Sequence, residues 1–280
     1  MHLIRKSNVL SEYAVVSHDT DKKDPGNEYL LDGKIYLLDV FLGKKFKIKL
    51  LNIKHRDELP FNPISITSYS NRRETLVYVL NRIVSYQYGI EVFQLKQNIL
   101  FYKYRIRPEQ SVIPTDIFVD DDGILFITAR PNGFFSSAAQ ILFESRRKGL
   151  ISYRDKNWTT EGRYKSAFQI EIDNSKDSIY ILLKNSIDVI KNYKLKDTKE
   201  NNLIQAGDNH PDRISFNDDK LSLLVSKKKR QSIVEFNTLD MNSEVVFVSE
   251  TGTGGIRTLY KHSGKYFLMN SKEQKLSICE

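Results

Sequence analysis

The chain has 280 residues, 40% of them hydrophobic and 28% charged, and carries a net charge of +8, an ordinary soluble composition with enough apolar material for a real core. No run approaches 18 consecutive apolar residues, and the opening MHLIRKSNVLSEY lacks the apolar centre and small-residue cleavage site of an export signal, so no membrane span is expected. The single cysteine, Cys279, excludes an internal disulfide and a cysteine metal cluster. An intracellular, cytoplasmic setting is the expectation.

Tyr and Phe, 15 of each, account for nearly all the aromatic residues, and Ile, Val and Leu are plentiful while Ala is scarce. That balance favours strands. In chain order, the N-terminal stretch LSEYAVVSHD, then GKIYLLDVF and KFKIKLL, reads as a first set of strands. After it a unit recurs: an alternating strand, a turn rich in Asp, Asn, Ser and Gly, and a strongly apolar strand. Its copies are ISITSYSNRRETLVYVLNR, TDIFVDDDGILFITAR, FQIEIDNSKDSIYILLKN, DRISFNDDKLSLLVSKK and IRTLYKHSGKYFLMNS. Anchors at Ile66, Ile117, Ile170, Ile214 and Thr258 are separated by 51, 53, 44 and 44 residues. A third strand is expected in YGIEVFQL, AAQILFES, SIDVIKNYKL and QSIVEFNTL, and a fourth follows in several units, as in ILFYKYRI. Such periods fit four-stranded propeller blades. The fold class expected is all-β: one domain over 1–280, a six-bladed β-propeller of four-stranded antiparallel blades.

Basic residues gather only in short runs beside expected turns, GKKFKIK, ESRRKG and SKKKRQS, which read as solvated hairpin tips. KKKR at 227–230 also matches a nuclear-localisation pattern, and NWT at Asn157 matches a glycosylation sequon. The three consecutive aspartates Asp120 to Asp122 fall where other units carry NSKD, NDDK and KHSG, so they are read as turn residues rather than a metal site. Asp116, just before an innermost strand, is the carboxylate expected to face a functional site. No GxSxG, HExxH or phosphate loop occurs, and TGTGG at 251–255 enters a strand, not a helix.

Several of these segments carry a family resemblance. FNPISIT is similar to the FNPHGI of the paraoxonases and arylesterases, PTDIF to their LPNLNDIV, SAFQIEIDNSKDSIYILL to FANGINISPDGKYVYIAE and PDRISF to VDNISV. The closing GKYFLMNSKEQKLSICE resembles the family's last strand. The match is collinear from about Ser7 to the C-terminus. It implies a six-bladed propeller related to gluconolactonase-like calcium-dependent lactonases, with calcium in a central channel. The positions matching the catalytic calcium ligands hold Thr115, Phe168, Asp212 with Arg213, and Ile4. Calcium takes six to eight oxygen ligands, and Phe and Arg offer none. For the family's second, structural calcium, Asp116 and the carbonyl of Ile66 match, while Arg5 stands at a carboxylate position. The family's proposed base, the His of FNPHGI, is replaced by Ile64.

The central channel is therefore expected to be lined by Ile64, Thr115, Asp116, Phe168, Asp212 and Arg213, with Arg213 standing in as a cation beside Asp116 or Asp212. No cofactor is expected, calcium being the alternative at Asp116 and Ile66. The leading function is binding or scaffolding of a protein partner by a propeller without the lactonase machinery. The alternative is an ester or lactone hydrolase using Asp116, Asp212 and His210, and a third reading is nucleic-acid binding through the basic surface.

Overall fold

The computed structural model describes residues 2–3, 5–6, 13–18, 34–39, 47–56, 60–84, 87–108, 112–131, 149–164, 167–194, 200–205, 210–217, 220–227, 230–238, 242–249, 256–262, 265–270 and 275–279. Among them every regular element is a strand. The chain divides into two compact units, Met1–Lys165 and Ser166–Glu280.

In the first unit, β1 (His2–Leu3), β3 (Tyr13–His18), β4 (Lys34–Asp39) and β5 (Lys47–Leu50) form one sheet in that order. A second sheet runs β2 (Arg5–Lys6), β7 (Pro63–Ser70), β8 (Thr75–Val84), β9 (Gln87–Lys96), β10 (Ile99–Ile106) and β6 (Asn52–Lys54), with β2 and β6 parallel to their neighbours. The third is the antiparallel meander of β11 (Val112–Val119), β12 (Leu125–Pro131), β13 (Leu150–Arg154) and β14 (Asn157–Gly162). The second unit repeats the meander as β15 (Gln169–Asp173) to β16 (Ser178–Leu182), β17 (Ser186–Lys191) and β18 (Glu200–Gln205). It does so again in β19 (His210–Asn217) through β20 (Lys220–Lys227), β21 (Arg230–Asn237) and β22 (Ser243–Ser249), and in the shorter set β23 (Ile256–His262), β24 (Lys265–Asn270) and β25 (Lys275–Cys279).

The unbroken apolar runs follow from burial on both sheet faces. In β8, Val77 and Val79 pack with Ile66, Phe61 and Phe93 on one side, while Tyr78 and Leu80 meet Ile117, Val119, Leu125 and Ile127 of the third sheet on the other. In the second unit, Tyr180 and Leu182 of β16 face Ile214 of β19 and Leu221, Leu223 and Val225 of β20, whereas Leu224 turns the opposite way toward Leu259 and Leu268. Each fully buried Leu or Ile contributes roughly 1.5–3 kcal/mol.

Four inner strands share a defect, which β15 lacks. Register shifts between Pro63 and Ser65 in β7, Pro114 and Asp116 in β11, Pro211 and Arg213 in β19, and Ile256 and Thr258 in β23. One residue, Ile64, Thr115, Asp212 or Arg257, is left out of the ladder each time. Three of these bulges follow a proline, which has no N–H to donate and is tolerated at strand starts and bulges. The last sequence anchor falls one place short: Leu259, not Thr258, lies two residues past its bulge as Ile66, Ile117 and Ile214 do past theirs, and is their buried counterpart. The segment AAQILFES lies outside the described residues, and the strand that pairs with β12 is β13, part of a hairpin turning at Asp155 and Lys156, with φ of 50° and 65°.

Beyond the ladders, polar side chains of one inner strand hold the backbone of the next. Ile117 N donates to Ser65 Oγ (3.3 Å) and Val119 N to Thr67 Oγ1 (3.4 Å). In the second unit Ile214 N donates to Gln169 Oε1 (3.0 Å), Phe216 N to Glu171 Oε2 (3.1 Å) and Lys261 N to Ser215 Oγ (3.0 Å), and Gln169 Nε2 returns a bond to Ile214 O (2.8 Å). Gln169 thus serves both polar groups of one residue. Gln169→Leu leaves both without that partner and is expected to lower stability by about 1–3 kcal/mol, read by urea unfolding. An unchanged midpoint would show that water replaces the amide.

Candidate functional site

The bulges fix where the expected site residues lie. Ile64 is the extra residue of β7, and its side chain packs on the apolar cluster containing Leu80, Ile90 and Ile117. The position where the resemblance would put a base is thus part of the core. Ile66 is buried among Val77, Val79 and Phe93. Thr115, the extra residue of β11, donates to Thr128 Oγ1 at 3.1 Å, and the Thr128 hydroxyl contacts the Asp116 carbonyl at 3.5 Å. The half-buried Asp116 accepts a short hydrogen bond at Oδ1 from Ser65. The first unit thereby brings Ile64, Thr115 and Asp116 together at the starts of two neighbouring inner strands.

In the second unit His210 opens β19 opposite Ser226. Asp212, the extra residue of that strand, accepts a short hydrogen bond at Oδ2 from the Ser226 hydroxyl. Ser226 Oγ also takes a bond from Gln231 Nε2 at 3.3 Å, and Gln231 holds both the N–H (3.1 Å) and the carbonyl (3.2 Å) of Ile256. Asp212 therefore heads a relay that ends on the backbone of β23. The Arg213 guanidinium meets Asp212 through its main-chain carbonyl, Nη1 to O at 2.9 Å, while the carboxylate goes to serine. Phe168 bonds by its N–H to Leu182 O (2.9 Å) and leaves 38% of its surface exposed. Ile4 and the glycine-rich segment 251–255 lie outside the described residues.

Both carboxylates thus carry a serine hydroxyl as donor. Asp120 to Asp122 bring three carboxylates within 4.8 Å of one another. Their local geometry is that of a turn: Asp120 is buried, its Oδ1 accepts from Asp122 N (3.0 Å) and Ile124 N (2.8 Å), and Gly123 takes a φ of 79°.

Two buried charge networks escaped the sequence reading. Glu91, fully buried in β9, takes Arg56 as a fork (2.5 and 3.0 Å), Arg105 Nη2 (3.1 Å) and Asn81 Nδ2 (2.9 Å). Arg56 also lies over the Phe61 ring at 4.5 Å. Glu235 in β21 receives short bonds from Lys261 and the Tyr266 hydroxyl, with Lys220 at 3.0 Å and Ser222 at 3.3 Å. The available signal was a lone acid inside an apolar strand, as in GIEVF and SIVEF.

No protein-family model matches the chain, and no curated protein matches it. Solved structures do. The periplasmic gluconolactonase PpgL of Pseudomonas aeruginosa superposes with a TM-score of 0.63 at 10% identity, over 99% of this chain and 80% of that one. A chain of a nidogen/laminin complex gives 0.62 at 11%, over 88% and 86%. A candidate 6-phosphogluconolactonase from Bacteroides uniformis gives 0.55 at 13%, over 100% and 83%. At these identities the likeness establishes an all-β, propeller fold and nothing about chemistry.

The Glu235 network sets a pH dependence. Burial alone would raise its carboxyl from the ordinary 4.5, but hydrogen bonds from Lys261, Tyr266 and Lys220 outweigh burial and hold it at about 2. Because the folded value is depressed, the stabilisation is fully present above the unfolded value and is lost as the pH falls toward 2. Glu235→Gln should remove about 2–4 kcal/mol of the parent's loss over that range. Urea unfolding at stepped pH measures this, and parallel parent and variant curves would exclude Glu235 as the cause.

Proposed function

We propose that this chain is a six-bladed propeller, related to the paraoxonase and gluconolactonase-like enzymes, that works as a protein-binding scaffold without their calcium chemistry. One observation carries the reading: Asp212, the hard-oxygen ligand that the resemblance retains, commits its carboxylate to Ser226 with the Arg213 cation as its chain neighbour. A calcium ion there would have to displace the serine and tolerate a guanidinium one residue away, and its ligand set would still lack the six oxygens it prefers. The apolar packing of Ile64 supports the same reading, because it leaves the expected base position without a titratable group. Propellers of this fold serve both kinds of work, as the gluconolactonase and the nidogen/laminin complex illustrate. The lone cysteine suits a reducing cytoplasm.

The test is enzymatic and thermodynamic. The purified chain should hydrolyse gluconolactone and phenyl acetate no faster than buffer, with or without calcium. Its thermal melts in millimolar calcium and in chelator should superimpose, since an ion without affinity for the native state cannot stabilise it. Turnover abolished by Asp116→Asn or Asp212→Asn would establish the hydrolase reading instead. A calcium-dependent rise in Tm would restore the metal site.

A further inference from the structure

The face that the second sheet turns to the third carries a row of tyrosines. Tyr78 of β8 pairs with Val92 of β9, and Val92 pairs in turn with Tyr104 of β10, which puts both tyrosines on one face. A bulge places the second of them there. Lys103 is the extra residue of β10, so Tyr102 turns to the opposite cluster and meets the Phe93 ring at 5.8 Å, whereas in a regular strand Tyr102 and Tyr104 would point the same way. The Tyr104 and Tyr78 hydroxyls are hydrogen-bonded to each other. Tyr78 is buried, and Tyr104 leaves 48% of its surface exposed.

The third sheet supplies the other wall. Its row runs from Leu125 through Tyr153 to Trp158, with the last two rings 4.6 Å apart, and Tyr153, Trp158 and Tyr69 pack on the same apolar cluster as Tyr78. Aromatic rings therefore line the seam between the two sheets from both sides. Burial first, then the neighbouring phenols and Glu74, push the Tyr78 and Tyr104 hydroxyls above their ordinary value, so these rings stay neutral.

Glu74, just before β8, is the charge beside those hydroxyls. Its carboxylate is engaged on Oε2, by Gln94 Nε2 at 3.0 Å and Lys103 Nζ at 4.0 Å, and Oε1 has no partner among the described residues. Neutral ring faces next to a carboxylate favour a cation. Lys103 meets that carboxylate only from the solvent side, with 42% of its side chain exposed, and a pair so placed contributes little. An ammonium entering the seam beside Tyr104 would meet ring faces and Oε1 with less water around it, where both attractions are stronger. A guanidinium fits less well, because its fork calls for both carboxylate oxygens and one is already taken. A sugar or a proline-rich strand would use the rings and leave Glu74 idle. We propose that this seam binds the ammonium group of a lysine side chain on a partner protein, with Tyr104 and Glu74 as its principal contacts, a proposal that deepens the scaffold reading above and rests on it.

Calorimetric titration of the full chain at low salt tests it. Nα-acetyl-lysine amide should bind with a dissociation constant of about 1 mM, and the norleucine amide, which lacks the ammonium, at least about 10-fold more weakly. Glu74→Gln and Tyr104→Ala should each weaken the lysine amide about 10-fold. Lys103→Ala should tighten it about 2- to 3-fold, since the competing ammonium is gone. All three side chains are partly exposed, so the circular dichroism of the variants should match the parent. No binding of the lysine amide up to about 20 mM overturns the proposal, as do equal affinities for the lysine and norleucine amides, or lysine binding indifferent to both Glu74→Gln and Tyr104→Ala. Hexaproline or maltotriose binding where the lysine amide does not would overturn it in favour of that occupant. The titration reads the seam alone, so its failure leaves the scaffold reading standing, whereas calcium-dependent turnover of gluconolactone would remove that reading whatever the titration shows.

Discussion

The constraint on which these units depend is the open edge of the inner strands. Among the described residues β11, β15, β19 and β23 have a ladder partner on one side only, while β7 is also paired with β2 over Thr67 and Ser68, and an open row of N–H and C=O groups must be satisfied without a strand. The chain supplies side chains. Ser65, Thr67, Gln169, Glu171 and Ser215 each reach the backbone of the next inner strand within their unit. This is why those strands alternate as they do: one set of positions, among them Ile66, Ile117 and Ile214, fills the core, and the other must be polar with an acceptor of the right reach. The bulge at the strand start belongs to the same solution. It sets apart a residue such as Thr115 or Asp212, whose side chain bonds within its own sheet, to Thr128 or Ser226.

That arrangement governs how the candidate site can be read. In a propeller the row of polar positions on inner strands is where ligands for a metal or substrate would be recruited, and here much of the row is already hydrogen-bonded to protein. Asp212 illustrates the competition. Its carboxylate, Ser226 and Gln231 form one chain ending on Ile256, so freeing Asp212 for chemistry would loosen the backbone of β23 as well. A lone carboxylate retained in sequence therefore need not signal retained chemistry, because the same residue type meets a structural demand at the same place.

The strands themselves were legible because the central strands, β8 and β16 among them, are buried on both faces. Runs such as LVYVL and IYILL become continuous apolar segments with turn residues between them, a pattern that composition and periodicity both register. What escaped had a physical cause each time. The last anchor was missed by one place because IRTLY has no proline to mark its bulge at Arg257, as Pro63, Pro114 and Pro211 mark the others. The third strand of the third sheet is ISYR, a weaker apolar run than AAQILFES, and it is specified by its two-residue turn and by Trp158 packing on Tyr153 at a centroid distance of 4.6 Å. The polar rungs were invisible because Gln, Ser and Thr at alternate strand positions look like a solvated face. Asp120 and the NSKD turn after Asp173 were readable from residue type, since Asp before such a turn accepts the amides that follow it.

Buried charge also changes how the net charge should be read. Glu91 and Glu235 together engage Arg56, Arg105, Lys220 and Lys261, four cations against two carboxylates. Three of those cations keep 15% or less of their side chains exposed. A guanidinium or ammonium held this way is withdrawn from the surface field that would attract a phosphate backbone, so three withdrawn cations against two buried carboxylates leave one of the eight net positive charges committed to the interior. The commitment has a structural cost. Arg105 gives Nη2 to Glu91 while its Nε is buried without a hydrogen bond, and an added Cβ at Gly89 would stand 2.7 Å from Arg105 Cδ. Gly89 thus leaves room for the arginine side chain to lie against β9, and a Cβ there would oblige that side chain to shift. Any larger side chain there would press on the arginine that helps neutralise Glu91, and a buried carboxylate that loses a partner costs far more than an exposed one. The position that looks least chemical in GIEVF makes room for one of the cations that neutralise the acid two residues on.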